Sequence, residues 1–174
     1  MQYLVLGAEF LIGTVFVAAV MSKLVAFHAF DQSLREMRVL PARWAYPVSL
    51  AVVAAECAVF LCLAVPVAAP AGFALACFLM GAFSLAILMA LRRRRQVPCR
   101  CFGSSTTPLG MAHVIRNGVL AVVAATGLLL SDRDTTGEAA AILVTAITGT
   151  LLGITAARLD DVIKLFQPVS AGRE

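Results

Sequence analysis

The stretch Cys99-Arg100-Cys101-Phe102-Gly103 holds the residue types and the spacing most suited to chemistry. Two cysteines one residue apart can close into a small, strained disulfide ring, and a strained, exposed disulfide lies at the oxidising, labile end of the redox scale. The thiolate is the reactive form, and cationic neighbours or a helix N-terminus lower a thiol's pKa. Arg92 to Arg95, Arg100 and Arg116 supply the cations, and a hydrophobic span opening near Pro108 supplies the positive end of a helix. Cys99 and Cys101 are therefore the candidate catalytic pair, Phe102 and Gly103 complete the motif, and the matching enzyme class is thiol–disulfide oxidoreductase. The arginines taken alone read as a topogenic cluster that binds lipid phosphate.

The elements around this stretch are set by composition. Of 174 residues 61% are hydrophobic and 14% charged, with a mean hydropathy of +0.92. A soluble globular domain does not have that balance. A bilayer core needs about 20 apolar residues per helix, so the chain reads as one all-α, integral membrane helical bundle over 1–174. Spans are expected at about 3–25, 45–65, 71–91, 108–130 and 138–157, a four-helix core plus one. The N-terminal run lacks a basic lead and carries Glu9, which argues against a cleaved signal peptide. Phe27, Phe30 and Leu34 recur at helical spacing against Asp31, Arg35, Glu36 and Arg38, the pattern of a short interfacial helix. Pro41 ends it, and Trp44 and Tyr46 suit the aromatic belt of the second span. Pro66 to Pro70 is a tight hairpin, Ser131 to Gly137 a polar turn, and a mixed tail follows the fifth span.

Loop charges orient the bundle. With five spans, one side collects twelve Lys and Arg (Lys23, Arg35, Arg38, Arg43, Arg92 to Arg95, Arg100, Arg158, Lys164, Arg173), and the other only Arg133. The positive-inside rule then puts the N-terminus outside and the C-terminus and the Cys99/Cys101 loop at the cytoplasmic face of a bacterial inner membrane. The net charge of +4 follows from this topology, with lipids as neighbours and no nucleic-acid motif in the chain.

Ionisable residues within spans are costly and face the bundle interior with a partner. Lys23, Glu56, His113 and Arg116 are such residues, and with the polar Asn117 they form the expected polar pocket beneath the cysteines. Glu56 and Arg116 are the expected ion pair, with Asn117 hydrogen-bonding across helices. A polar clamp that fixes packing and a role in proton or quinone handling are equally open. Glu9, in the outer half of the first span, joins no cluster and receives no role. Cys57, Cys62 and Cys77 lie in apolar runs and read as small hydrophobes. Two cysteines and one intramembrane histidine are an incomplete set for a closed metal site, so no metal is expected.

Lys23, Phe27, Phe30, Pro41, Glu56, Cys-x-Cys-Phe-Gly at 99–103 and Arg116-Asn117 together resemble the MauE branch of the MauE/DoxX family, over about Gly13 to Leu130. Members often carry glycine between the cysteines, where this chain has Arg100. The resemblance implies a multi-span membrane protein of thiol–disulfide chemistry that supports disulfide formation in the small subunit of methylamine dehydrogenase, a periplasmic enzyme. Relatives of the DoxX type imply thiol homeostasis or quinone-dependent oxidation, so the cofactor is left unknown, with a quinone as one candidate. A thioredoxin-like or other thiol protein and a maturing dehydrogenase subunit are the implied partners. With the pair at the cytoplasmic face, passing electrons between a thiol carrier and a membrane partner is expected rather than direct oxidation of periplasmic substrates. A non-enzymatic assembly factor and a thiolate metal-handling protein are the alternatives that the residues leave open.

Overall fold

The computed structural model describes residues 2–37, 41–93, 111–131 and 139–166, and every regular element among them is a helix. Six helices follow in order: α1 (Gln2–Val25), α2 (Phe27–Met37), α3 (Ala42–Leu63), α4 (Ala69–Arg92), α5 (Met111–Leu130) and α6 (Ala139–Phe166), with a 3-10 turn at Pro66–Ala68. All but α2 are long and apolar enough to cross a membrane. At 1.5 Å per residue, the 24 residues of α1 reach about 36 Å, more than the roughly 30 Å hydrocarbon core. The protein is a multi-pass membrane protein, all helical as its composition predicts.

Each of the five long helices is largely apolar all round, yet one stripe of each is buried. On α1 the stripe is Ala8, Ile12, Val15, Phe16, Ala19 and Lys23, and on α3 it is Ala45, Ser49, Val53, Glu56, Val59 and Leu63. Spacings of three and four residues keep these positions on one face. The stripes of α1, α3, α4 and α5 meet around Phe16, Val59, Phe73, Met80 and Leu120, so four helices build the core. The fifth span is the addition: α6 packs mainly on α1 and leaves most of its surface outside the core.

Glycine sets how closely neighbours approach. A Cβ on Gly127 of α5 would fall 2.5 Å from the Phe73 ring of α4, so the ring lies against bare backbone. On α6, a Cβ on Gly149 would fall 2.6 Å from the Gly7 carbonyl oxygen, and one on Gly153 2.8 Å from that of Leu11. Position rises together on both chains, so α6 runs parallel to α1. Small residues four apart permit such backbone contact between apolar helices, where packing must replace the hydrophobic effect.

α2 is the short amphipathic helix that the spacing predicts, with Phe30 and Met37 buried and His28, Gln32, Arg35 and Glu36 outward. Only Ala26 separates it from α1, and the hydrogen bonds Ala26 N–H to Ser22 O (3.2 Å) and Phe30 N–H to Ala26 O (3.1 Å) carry the helical path across the joint. α2 then descends along the first half of α3. Asp31, expected on the polar face, instead turns toward α3, where the Ser49 hydroxyl donates to its Oδ1 at 3.2 Å. Arg35 Nε donates to Asp31 Oδ2 at 2.8 Å.

Several boundaries differ from expectation, the second span among them, since α3 runs Ala42–Leu63 rather than 45–65. The third span starts at Ala69 rather than Ala71, because Pro70 fits the first turn, where its missing N–H has no helical acceptor to lose. α6 continues past Ala157 to Phe166, since no glycine or proline interrupts the chain before Pro168.

Candidate functional site

The buried stripes carry polar residues on three helices, Lys23 on α1, Ser49 and Glu56 on α3, and His113, Arg116 and Asn117 on α5. Lys23 lies two residues before the end of α1, and its Nζ donates to Glu56 Oε1 at 2.7 Å. Neither residue is more than 1% exposed. From Ala42, Glu56 is fourteen residues into α3, about 21 Å along the axis, which puts the pair deep in the bundle. The ammonium also faces two aromatic rings, Phe30 at 5.2 Å and Phe83 at 5.5 Å from the ring centroids. Cation–π attraction of this kind strengthens where water is excluded.

The expected Glu56–Arg116 pair is therefore replaced by Lys23–Glu56. Glu56 Oε1 takes the lysine, and Oε2 has no hydrogen-bond partner among the described residues. The reason is geometric: the α1 stripe that buries Ile12, Phe16 and Ala19 delivers Lys23 to the α1/α3 seam, where Glu56 stands.

His113, Arg116 and Asn117 form the first turns of the buried stripe of α5, which continues through Leu120, Ala124 and Gly127. Register places them relative to Lys23. The Cys77 thiol of α4 donates to the Ala121 carbonyl of α5 at 3.6 Å, and Phe73 faces Gly127. Ten residues on from Phe73 is Phe83, and ten back from Gly127 is Asn117, so Asn117 stands at the level of the ring that touches Lys23. Asn117 is 1% exposed, and neither its amide oxygen nor its amide nitrogen has a hydrogen-bond partner among the described residues. The cross-helix hydrogen bond expected of it is not formed among the described residues. A buried amide without partners costs about 1–3 kcal/mol. Such a group marks a place for water or a polar ligand.

Cys99, Cys101, Phe102 and Gly103 lie outside the described residues, as do Arg94, Arg95, Arg100, Thr107 and Pro108. The segment that holds them joins Arg93 at the end of α4 to Met111 at the start of α5. His113, Arg116 and Asn117 follow within the next two turns. Cys57, Cys62 and Cys77 are free thiols and half-buried among the helices. Among the described residues no group of three His, Cys, Asp or Glu side chains is placed to hold a metal ion.

Ser49, Asp31 and Phe83 are the participants that sequence reasoning missed. A signal for Ser49 exists, since it falls on the stripe that runs Ala45, Ser49, Val53, Glu56. Phe83 has none, because any of several phenylalanines could meet a buried lysine.

Comparison with known proteins identifies the family. A family model described as Methylamine utilisation protein MauE matches residues 1–130, ending at the last residue of α5. A protein of Paracoccus denitrificans named Methylamine utilization protein MauE is 35% identical over 149 residues, covering 83% of this chain and 80% of its own. A protein of the same name from Paracoccus versutus is 33% identical over 143 residues, covering 81% and 77%. No solved structure matches. The matched residues include all four core helices, the cysteine motif and every polar residue of the buried cluster, and the chain belongs to the MauE family.

Proposed function

We propose that this protein is a membrane accessory protein of methylamine utilisation that passes electrons through the Cys99/Cys101 pair in support of disulfide formation in a maturing dehydrogenase subunit. In each exchange a thiol protein of the thioredoxin type loses two protons and two electrons and becomes a disulfide, while the Cys99–Cys101 disulfide becomes two thiols. Where a membrane quinone is the acceptor, it takes two electrons and two protons per disulfide restored. A donor that fits its carbonyl oxygens is the buried Asn117 amide nitrogen, which has no hydrogen-bond partner among the described residues.

The observation that carries this reading is the buried Lys23–Glu56 ion pair facing the Phe83 ring, with the buried Asn117 amide at the level of that ring. Bundles of apolar helices tolerate ionisable residues at depth only with a partner, and such residues mark function by default. The loop charges support a cytoplasmic C-terminus and a cytoplasmic cysteine loop in the inner membrane.

Thiol labelling tests it. At least one of Cys99 and Cys101 should react with an alkylating agent well below the free-thiol pKa of about 8.5, and Arg100→Gly should raise that reactive pKa. Cys99→Ser and Cys101→Ser should each abolish maturation of the dependent dehydrogenase at unchanged membrane abundance. Ordinary thiol reactivity together with full function of both serine variants would leave a scaffolding role instead.

A further inference from the structure

Glu9 is the second acidic residue within a span, and nothing in the proposed redox function uses it. It lies seven residues into α1, about 10 Å from the helix start, in the half of the bundle away from Lys23. Among the described residues no hydrogen bond or ion pair reaches its carboxylate. The lysine on its own helix, Lys23, is fourteen residues and about 21 Å away, and is bonded to Glu56. The neighbouring Thr14 hydroxyl donates to the Phe10 carbonyl at 2.7 Å, so it does not serve Glu9.

Beside Glu9 runs a groove of about 480 Å³ between α1 and α3, with Phe10, Gly13 and Val17 on one wall, Phe60 and Leu63 on the other, and Pro66 at the end. Its size is that of a site for a small amphiphile. A single turn of a partner helix, about 10 Å across and 5.4 Å tall, would already occupy roughly 420 Å³, so a spanning helix does not fit. Gly13 makes the hollow: it is buried, yet a Cβ built on it would meet nothing within 4 Å. An intramembrane carboxylate is expensive without a counter-charge, and the apolar walls offer none. A cationic occupant would supply the counter-charge that the groove walls lack.

We infer that the groove between α1 and α3 binds a membrane lipid with a primary-ammonium headgroup, the ammonium against Glu9 and one acyl chain along Gly13 and Val17. The groove opens on the bilayer side, and Phe10, Val17 and Phe60 are exposed there. A primary ammonium has three N–H groups to donate to the carboxylate, whereas a quaternary head has none. The site is independent of the cysteine chemistry.

Native mass spectrometry of the full chain, released from nanodiscs holding equal amounts of phosphatidylethanolamine and phosphatidylcholine with identical acyl chains, tests this. Retained phosphatidylethanolamine should exceed phosphatidylcholine by about tenfold, the factor for one charge-assisted hydrogen bond. Glu9→Gln should abolish the preference while leaving some lipid bound. Gly13→Leu, which enters open space and so leaves the fold intact, should evict both lipids. Equal retention of the two lipids by the unaltered protein, or an unchanged preference in Glu9→Gln, would overturn the site.

Discussion

Lys23 at the end of α1 and Glu56 in the second half of α3 form an ion pair of 2.7 Å that is closed to solvent on every side. Two aromatic rings and the carboxylate enclose the ammonium, and the carboxylate keeps one oxygen, Oε2, without a partner among the described residues. Desolvating two charges is so costly that such a pair adds little net stability compared with a well-packed apolar pair. Its presence across the α1/α3 seam fixes register and supplies a polar centre in an otherwise apolar bundle.

Removing one charge should therefore do more harm than removing both. Lys23→Met and Glu56→Gln should each cost about 3–5 kcal/mol, and the double variant distinctly less than their sum. Unfolding in mild detergent, followed across the double-mutant cycle, measures it. Strictly additive losses would mean that the two residues do not interact in the folded protein.

The glycines on α6 predict a separable helix. Gly149→Leu should drive α6 from α1, because its Cβ would already lie 2.6 Å from the Gly7 carbonyl oxygen. Disulfide crosslinking between Gly7→Cys and Thr145→Cys, positions close across the same seam, should then fall sharply. The four-helix core should keep its stability within about 1 kcal/mol, since overpacking costs 1–3 kcal/mol where a core must absorb it and α6 lies outside that core. Gly127→Leu, by contrast, intrudes on Phe73 and should lower the thermal transition of the whole bundle.

Asp31 holds α2 against α3 through Oδ1, which accepts from Ser49, while Oδ2 accepts from Arg35 on its own helix. Asp31→Ala should destabilise by about 1–3 kcal/mol, because the fully buried Ser49 hydroxyl loses its acceptor. Asp31→Asn keeps an oxygen for Ser49 and gives up mainly the Arg35 ion pair, whose guanidinium is 44% exposed. An exposed pair is worth about 0–1 kcal/mol, so the asparagine variant should stay near the parent. Equal losses in the two variants would assign the whole effect to Arg35.

A topology experiment follows from the charge distribution. A reporter fused after Glu174 should be active only if its chemistry works in the cytoplasm, and a cysteine placed in Ser131 to Gly137 should be labelled by an impermeant reagent from outside. The parallel run of α1 and α6 requires the two ends of these helices to share sides, so a C-terminal reporter outside would place Lys23 toward the outside as well.

Five apolar stretches, the breaks at Pro41 and Pro66, and the buried stripes themselves are properties of single helices, and the sequence determined them through length, hydropathy and spacing. Lys23, Glu56, Arg116 and Asn117 could be marked as interior for the same reason: each is a polar residue inside a span, where lipid offers it no partner. Which partner each takes is a property of two helices at once. Glu56 could neutralise a lysine or an arginine equally well in one dimension. Only the tertiary structure, in which α1 and α3 run antiparallel and the Ala26 joint leaves Lys23 at the seam, selects the lysine. The inward turn of Asp31 and the parallel docking of α6 were decided in the same way, by close approach between backbones that no periodicity within one segment records.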